Sequence, residues 1–480
     1  MPESITASPL HWDEEADVVI IGSGFAGISA AIEAIQAGCS VAVIEKMPTA
    51  GGNSIIDSGE LSVVDSPQQK MRKVKDSASL LAEDILTNGE HLNDPAKVHY
   101  IAEHAHDIFE WTSSLGVRWT EGVARAGGHS VARVIVTHTG SGHEIYECLA
   151  KRFAELGGTV RLNTYVESVI RADDNRGRVE GVAIREHYAF PDAASGTRRT
   201  LRAKKAVILC HGGFSADVNY RKEKNPELGA DLSTTNQPGA TGELWREAER
   251  IGCLILQAGW VQCTPWNNPK EKGQGIGWVF SEYAAADYGL WITQTGHRFV
   301  DENANRKVRT DAIFEEHRRN RKVFCVANDD GIPVLEKMRP GYMKKVLELG
   351  LVQKFDSVED LEKGLGITPG GFASELDTFN QEIRKKRDTR FGRNLRKLKP
   401  LTKGAWYAAE MTPRVHHCMG GIMTDPQGRA LDARTQTPIE GLFAAGEAAG
   451  GVHGACRMGA CAILDCLVMG RLAGRVVAAS

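Results

Sequence analysis

No stretch of this 480-residue chain approaches the roughly 18 uninterrupted apolar residues that mark a membrane-crossing helix, so no transmembrane span is expected. Its ten cysteines include no C-x-x-C pair and no C-x-x-C-H haem-attachment site. They are scattered as small buried hydrophobes of a reducing compartment would be. No metal site is expected, and a covalently attached c-type haem is excluded as a built-in electron supply. A formal net charge of -3 gives no reason to expect a nucleic acid partner. No repeat of 20 to 50 residues is visible, which excludes a solenoid. The N-terminal MPESITASPLHWDEEAD has neither a basic n-region nor an apolar h-region, and a cytoplasmic protein is the expectation. What is present, 42% hydrophobic and 25% charged residues, suits a globular protein long enough for two domains or more.

The most informative stretch is ADVVIIGSGFAGISAAIEAIQAGCSVAVIEK, Ala16 to Lys46. Its order is apolar strand, glycine turn, helix with small residues on one face, second apolar strand, acid. Gly22 allows the tight turn, Gly24 lets backbone N–H groups approach a pyrophosphate, and Gly27 lets the helix pack closely on the strand. The helix N-terminus then faces a diphosphate with its partial positive charge. Glu45, 18 residues beyond Gly27, stands where a carboxylate accepts hydrogen bonds from ribose hydroxyls. A lone G-x-G-x-x-G is weak, but with both strands and the acid in place the stretch reads as dinucleotide-binding.

The following KMPTAGGNSIIDSGELS, rich in Gly, Ser and Asn, offers backbone donors and short hydroxyls beside the diphosphate. Residues 76–116 carry helical periodicity and read as packing helices. An amphipathic helix from Tyr146 to Leu156 precedes two strand-like runs, and RAKKAVILCHGGF is a further buried strand that breaks at His211-Gly212-Gly213. Composition changes near Gly259: residues 259–415 are richer in Trp, Asn, Lys and Arg and lack the glycine-after-strand signature. They read as an inserted second domain. The first style returns in GLFAAGE and in a helix from Cys461 to Ala479 with Gly470 and Gly474 for close packing. The expected organisation is a cofactor domain begun by residues 1–258, interrupted by an insertion at 259–415 and completed by a return segment at 416–480.

Assembled, GSGFAG with Glu45, KMPTAGGNS, PGATGE, GHRFVDENANR, HHCMGG and GLFAAGEAAGGVHGACRMG resemble the soluble fumarate reductase and succinate dehydrogenase flavoprotein superfamily. The stand-alone branch, with flavocytochrome c fumarate reductases, urocanate reductases, tricarballylate dehydrogenases and 3-ketosteroid dehydrogenases, is the most similar. The resemblance covers nearly the whole chain. It implies an α/β fold, a Rossmann-type FAD-binding domain with an inserted α+β capping domain. It further implies FAD held by Gly22, Gly24, Ala26 and Gly27, by Glu45 and Lys46, and by Gly52, Asn53, Ser54, Ser58 and Gly59. Val166, Gly212, Gly242, His417, Glu447, Ala462 and Ile463 complete the implied cofactor set. Members that bind flavin covalently use a histidine in the loop after the ribose acid; here that loop reads Gly51-Gly52-Asn53-Ser54, so non-covalent FAD is expected.

By the same resemblance, Arg306 moves the proton at the substrate carbon, while His416 and Arg457 clamp a substrate carboxylate and His417 lies against the flavin. The chemistry fits the residue types: a guanidinium gives a carboxylate two parallel donors, and an arginine works as an acid only in a dry site where a relay restores its proton. Two departures stand out. Where fumarate reductases have Gln-x-His-Pro, whose histidine grips a second carboxylate, this chain has Gln262-Cys263-Thr264-Pro265. Their Glu-x-x-Arg relay keeps its acid as Glu282, but Ala285 stands at the arginine position. A substrate with one carboxylate, or a carboxylate plus a carbonyl, and a bulkier remainder than fumarate is therefore expected, with Thr264, Glu282 and Tyr283 beside it; Trp266, Tyr288 and Trp291 are further candidates for that side.

The expected reaction is desaturation or reduction of a C–C bond alpha,beta to a carboxylate or ketone, as on an oxo-cyclohexanecarboxylate or an enoate. The alternatives are a 3-ketosteroid-type dehydrogenase, for which Tyr283 and Tyr288 are the candidate tyrosines, and a flavoprotein subunit that chiefly docks to electron-transfer partners. The electron acceptor or donor is not specified by these residues.

Overall fold

The computed structural model describes residues 11–396, 398–402 and 404–480; the N-terminal segment through Leu10, which begins the polar N-terminal stretch, lies outside the described residues. The chain divides into two compact units, residues 1–229, 237–261 and 417–480 in the first and 230–236 and 262–416 in the second.

The first unit is built on an eight-stranded sheet whose main path runs Arg429–Leu431, Pro438–Ala444, Thr197–Leu209, Glu14–Ile21, Val41–Ile44, Val160–Arg161. From Pro438–Ala444 to Val160–Arg161 every pairing is parallel. Parallel strands need both faces covered, and alternation along the strands supplies this. Val18, Ile20, Val43 and Ile208 enter one apolar core, while Val19, Ile21, Ile44 and Leu209 enter another. The helices Phe25–Gln36 and Cys461–Ala479 belong to the first of these cores. Their close approach depends on glycine: a Cβ on Gly470 would lie 2.4 Å from the Ala26 carbonyl oxygen, and one on Gly474 2.4 Å from that of Ala30. An antiparallel meander, Tyr165–Arg171 and Val179–Glu186, extends the sheet from Thr197–Leu209. The periodic region between residues 76 and 116 forms the helices Ala78–Asn88, Pro95–Glu103 and Ala105–Ser114.

The second unit carries an antiparallel arrangement, with Trp406–Cys418 between Val261–Asn267 and Val323–Asn328, and Leu290–Thr293 beyond. Alternation again divides its apolar residues: Trp291, Val323, Cys325 and Ala327 face one core, and Leu290, Ile292, Phe324 and Val326 the other. Glu302, fully buried, binds the guanidinium groups of Arg298 at 2.7 Å and Arg393 at 3.1 Å. Burial of a charge is tolerable only with such pairing. All ten cysteines are free thiols and eight are buried, as packing atoms rather than crosslinks.

Candidate functional site

In the first unit, a cleft opens at the carboxyl end of the central parallel strands. Of the residues expected to hold a dinucleotide, Gly22, Gly24, Ala26, Glu45, Lys46, Gly52, Asn53, Ser54, Val166, Gly212 and Glu447 line it. Gly22 has φ +101°, in the left-handed region, and a Cβ there would lie 2.3 Å from the Cys210 carbonyl oxygen. Gly27 stands outside the lining; its task is packing, since a Cβ would meet the Gly22 carbonyl oxygen at 2.0 Å. The Phe25 N–H, in the first turn of the helix, donates to Ser54 Oγ at 3.0 Å, so the loop after the second strand is tied to the helix N-terminus.

Glu45 is buried; its carboxylate accepts from Ser23 Oγ at 2.7 Å and from the Met47 N–H at 2.9 Å, which fix it at the strand end. Lys46 donates to Thr241 and lies 3.3 Å from Glu243, both in the cleft wall. The Gln237 N–H donates to Asn53 Oδ1 at 2.9 Å, bringing the 237–243 segment to the same wall. Ser58, Gly59, Gly242, His417, Ala462 and Ile463 are not among the lining residues. Gly242 precedes the helix Glu243–Arg250, and Ile463 sits in the apolar core. Residues not foreseen complete the lining, among them Thr164, Tyr165 and Cys466. A long cleft walled by glycines, opening at a helix N-terminus and carrying a fixed acid near one strand end, fits an extended dinucleotide.

Also in the first unit, His417 and Arg457 are 6% and 5% exposed. His417 Nδ1 lies 3.5 Å from Glu447 Oε1, which also accepts from the Cys418 N–H at 2.8 Å. Burial pushes the Glu447 carboxyl up to about 7, against hydrogen bonds from the backbone of Cys418 and Gly213 and the attraction of Arg457. The loop that carries Arg457 is pinned from the helical region between residues 88 and 129. Lys97 Nζ donates to the Gly450 carbonyl at 2.9 Å, Asn93 to that of Val452 at 2.8 Å, and the Ala455 N–H to the Gly89 carbonyl at 3.0 Å. His129 Nε2 meets the Gly459 carbonyl at 2.9 Å. The segment read from its periodicity as packing helices therefore also positions this loop. Lys97, a buried lysine among the apolar residues of the helix Pro95–Glu103, is the one signal of this in the sequence.

In the second unit, His416 Nδ1 is 2.7 Å from Thr235 Oγ1, and the Asn236 side chain donates to the His416 carbonyl at 2.7 Å. Thr264 is completely buried; its hydroxyl is engaged by Asn267 and lies 3.4 Å from the Arg414 carbonyl. Arg414, 1% exposed, donates to the carbonyls of Asn268, Glu271 and Gly273 and so holds the enlarged loop in shape. Arg306 opens the helix Arg306–Arg318, capped by Asn305, whose side chain accepts from the Val308 N–H at 3.0 Å. Its guanidinium carbon lies 5.0 Å from the centroid of the Trp266 ring.

Glu282 and Tyr283 lie on a π-helical turn, Ser281–Ala286, a feature often found at functional sites. Ala285 leaves Glu282 without the arginine expected three residues on, but the partner comes from elsewhere. Arg309, 2% exposed, donates to Glu282 at 2.7 Å, and its guanidinium packs 4.7 Å from the same Trp266 ring that Arg306 faces. No sequence motif marks Arg309; only its position one turn after Arg306 hints at it. Tyr283 packs near Trp278 with ring centroids 5.9 Å apart. Trp291, expected as a candidate for the substrate side, is fully buried, donating to the Ser281 carbonyl at 3.3 Å and to the core otherwise.

Residues 17–463 match a family described as FAD binding domain. The chain is 35% identical over 482 residues to the acrylate reductase flavoprotein subunit of Shewanella woodyi, covering 99% of this chain and 93% of that one. It is 30% identical over 481 residues to the urocanate reductase of Eggerthella lenta, covering 99% and 77%. Among solved structures, the open conformation of a flavocytochrome c3 fumarate reductase matches with a TM-score of 0.77 at 31% identity, over 98% of this chain and 79% of the other.

Proposed function

The chain belongs to the FAD binding domain family, an FAD-dependent oxidoreductase family acting on C=C bonds, and from that premise we propose a carboxylate-directed desaturase or reductase. In this reading the parallel sheet of the first unit is the Rossmann-type cofactor layer and the second unit is the α+β cap. The substrate carries one carboxylate, or a carboxylate and a ring ketone, and a remainder bulkier than fumarate. The observation that carries it is Thr264. The hydroxyl at the position where a histidine would grip a second carboxylate is buried and spent on Asn267 and Arg414, within a loop enlarged by Trp266 and its neighbours.

The cleft walled by Gly22, Gly24, Glu45 and Ser54 would hold FAD, which would supply hydride-transfer chemistry. The remaining work falls to side chains. Arg457 of the first unit is a carboxylate ligand in this reading; His416 of the second is another, its ring fixed by the hydrogen bond between Nδ1 and Thr235 Oγ1. Arg306 delivers or removes the proton at the neighbouring carbon. Arg309, paired with Glu282, stands where it can restore the charge state of Arg306, replacing the arginine lost at Ala285. Trp266 and the core it belongs to keep the Arg309 guanidinium dry, and Arg306 packs over the same ring.

FAD is held non-covalently: the Gly51–Ser54 loop against the cleft has no histidine. Acid precipitation should leave yellow flavin in the supernatant, and a coloured pellet would contradict this. The reaction is tested by an anaerobic screen of carboxylic acids and cyclic ketones for bleaching of the oxidised flavin, repeated with unsaturated acids against the reduced protein. Arg457→Met separates acid from ketone substrates. Loss of substrate binding with flavin retained supports the carboxylate reading, and unchanged binding transfers the case to a ketosteroid-type dehydrogenase. A purified protein inactive with every artificial donor and acceptor would instead favour a flavoprotein subunit that works through a partner, as the name of the Shewanella woodyi relative indicates for that protein.

A further inference from the structure

One buried group of titratable side chains has no part in substrate binding or in proton delivery at Arg306. It begins at the cleft wall with Glu447, whose Oε1 lies 3.5 Å from His417 Nδ1. The His417 ring meets that of His453 edge to face, with centroids 5.2 Å apart and planes at 70°. His453 Nε2 lies 3.2 Å from Asp465 Oδ2. His417, His453 and Asp465 are 6%, 4% and 3% exposed, and the Glu447 side chain is 12% exposed. They come from separate segments: the end of the strand Trp406–Cys418, the short turn Gly446–Ala448, the loop after it, and the second turn of Cys461–Ala479. An apolar helix such as Cys461–Ala479 gains nothing in packing from a buried aspartate. Its presence beside a buried imidazole points to a charge that is used.

We propose that Glu447, His417, His453 and Asp465 form a proton store linked to the redox state of the bound FAD. Two-electron reduction of bound FAD would take one proton onto the cofactor and leave it one negative charge; the Glu447 carboxylate would then take a second proton from solvent, forming an O–H bond, and on reoxidation both protons return to solvent. The new negative charge on the cofactor is thereby offset within the cleft wall. His417 lies between Glu447 and the His453 ring, and Asp465 stands within ion-pair reach of His453.

The groups facing Glu447 single it out as the acceptor. Cys418 and Cys466 are kept as neutral thiols by burial, their carboxylate neighbour adding to the effect. Arg457 is a permanent cation that favours the charged carboxylate of the oxidised state. Lys97, near Asp465, is lowered to about 8 by burial and donates to the Gly450 carbonyl. Glu447 itself, raised to about 7, is poised to change charge in the physiological range.

The test uses the FAD-loaded protein without substrate, so its outcome is independent of the reaction proposed above. The midpoint potential is measured electrochemically through mediator dyes from pH 6 to pH 9, and proton uptake at pH 8 is read with an indicator in weak buffer. Below about pH 7 the oxidised protein already holds the extra proton. There the potential should fall by about 30 mV per pH unit, the value for one proton per two electrons. Above pH 7 the slope should double to about 60 mV per pH unit, with about two protons taken up per FAD at pH 8. Glu447→Gln should hold the slope near 30 mV per pH unit throughout, and Glu447→Asp should restore the steep segment. A wild-type uptake of one proton at pH 8, or a steep segment that survives in Glu447→Gln, overturns the proposal. Should the glutamine variant release its flavin, the wild-type uptake and the aspartate variant still decide.

Discussion

The first unit contains 31 Lys and Arg against 39 Asp and Glu, and the second 27 against 22, so one is net acidic and the other net basic. The acidic unit is nevertheless the one whose cleft fits an anionic dinucleotide. It does so with glycines, a helix N-terminus and short hydroxyls, which address phosphate through local dipoles and need no net charge. The basic unit works with side chains. Arg306 and Arg309 gather on one tryptophan ring, Arg414 shapes a loop, and Arg298 and Arg393 neutralise Glu302. Backbone dipoles and short hydroxyls wall the cleft of one unit; long cations carry the buried polar contacts of the other.

The comparison breaks most decisively at Arg306. Arg306→Ala should lower kcat by a factor on the order of 10² to 10⁴ while the visible flavin spectrum stays unchanged, measured by stopped-flow and absorbance. Substantial residual turnover would move the chemistry out of the second unit. Next comes Gly27→Ala, whose Cβ would meet a backbone oxygen at 2.0 Å. It should lose FAD on gel filtration and about 3 kcal/mol of stability in urea unfolding; retention of both would show that the cleft is not built on that contact.

Arg309→Met tests whether the two basic residues of one helix have separate tasks. A drop in kcat of roughly 30-fold, with KM little changed and an altered pH profile, is expected for a group that acts through Arg306. A pH profile identical to that of the unaltered protein, or a loss carried mainly by KM, would leave Arg309 a packing residue.

Acid separates the units more gently. Burial holds His129 of the first unit down to about 4, with the nearby Arg133 adding to it. The unfolded chain binds that proton below about 6.5 while the folded one does not, so stability falls with pH in that window. The loss should reach about 2 kcal/mol by pH 5 and should vanish in His129→Gln. In the second unit Arg393 and Arg298 hold the Glu302 carboxyl below the usual carboxylate range despite burial, and the Phe391 N–H, helped by Arg298, does the same for Asp388. Their contribution is present above the ordinary carboxylate value and is lost only as pH falls further. The first unit should therefore loosen before the second on acidification, readable by hydrogen exchange.

Local signals were legible without coordinates. Glycine spacing between Gly22 and Gly27, the apolar alternation of the flanking strands and the small residues of Cys461–Ala479 each act over a few residues, where periodicity is itself the physics. Other contacts carry no such trace. Glu282 finds Arg309 across 27 positions, Lys97 finds the Gly450 carbonyl across 353, and Asp465 finds His453 through a turn that periodicity does not describe.

The amino-acid order alone determined that a strand, a glycine turn and a helix would present N–H groups to a diphosphate, because steric freedom at glycine and hydrogen bonding within a helix are local properties. Only the tertiary structure decided which cation would pair with Glu282 and which buried acid would meet which imidazole. Buried polar groups take whatever partner the packing brings within reach, and distance along the chain does not limit that choice.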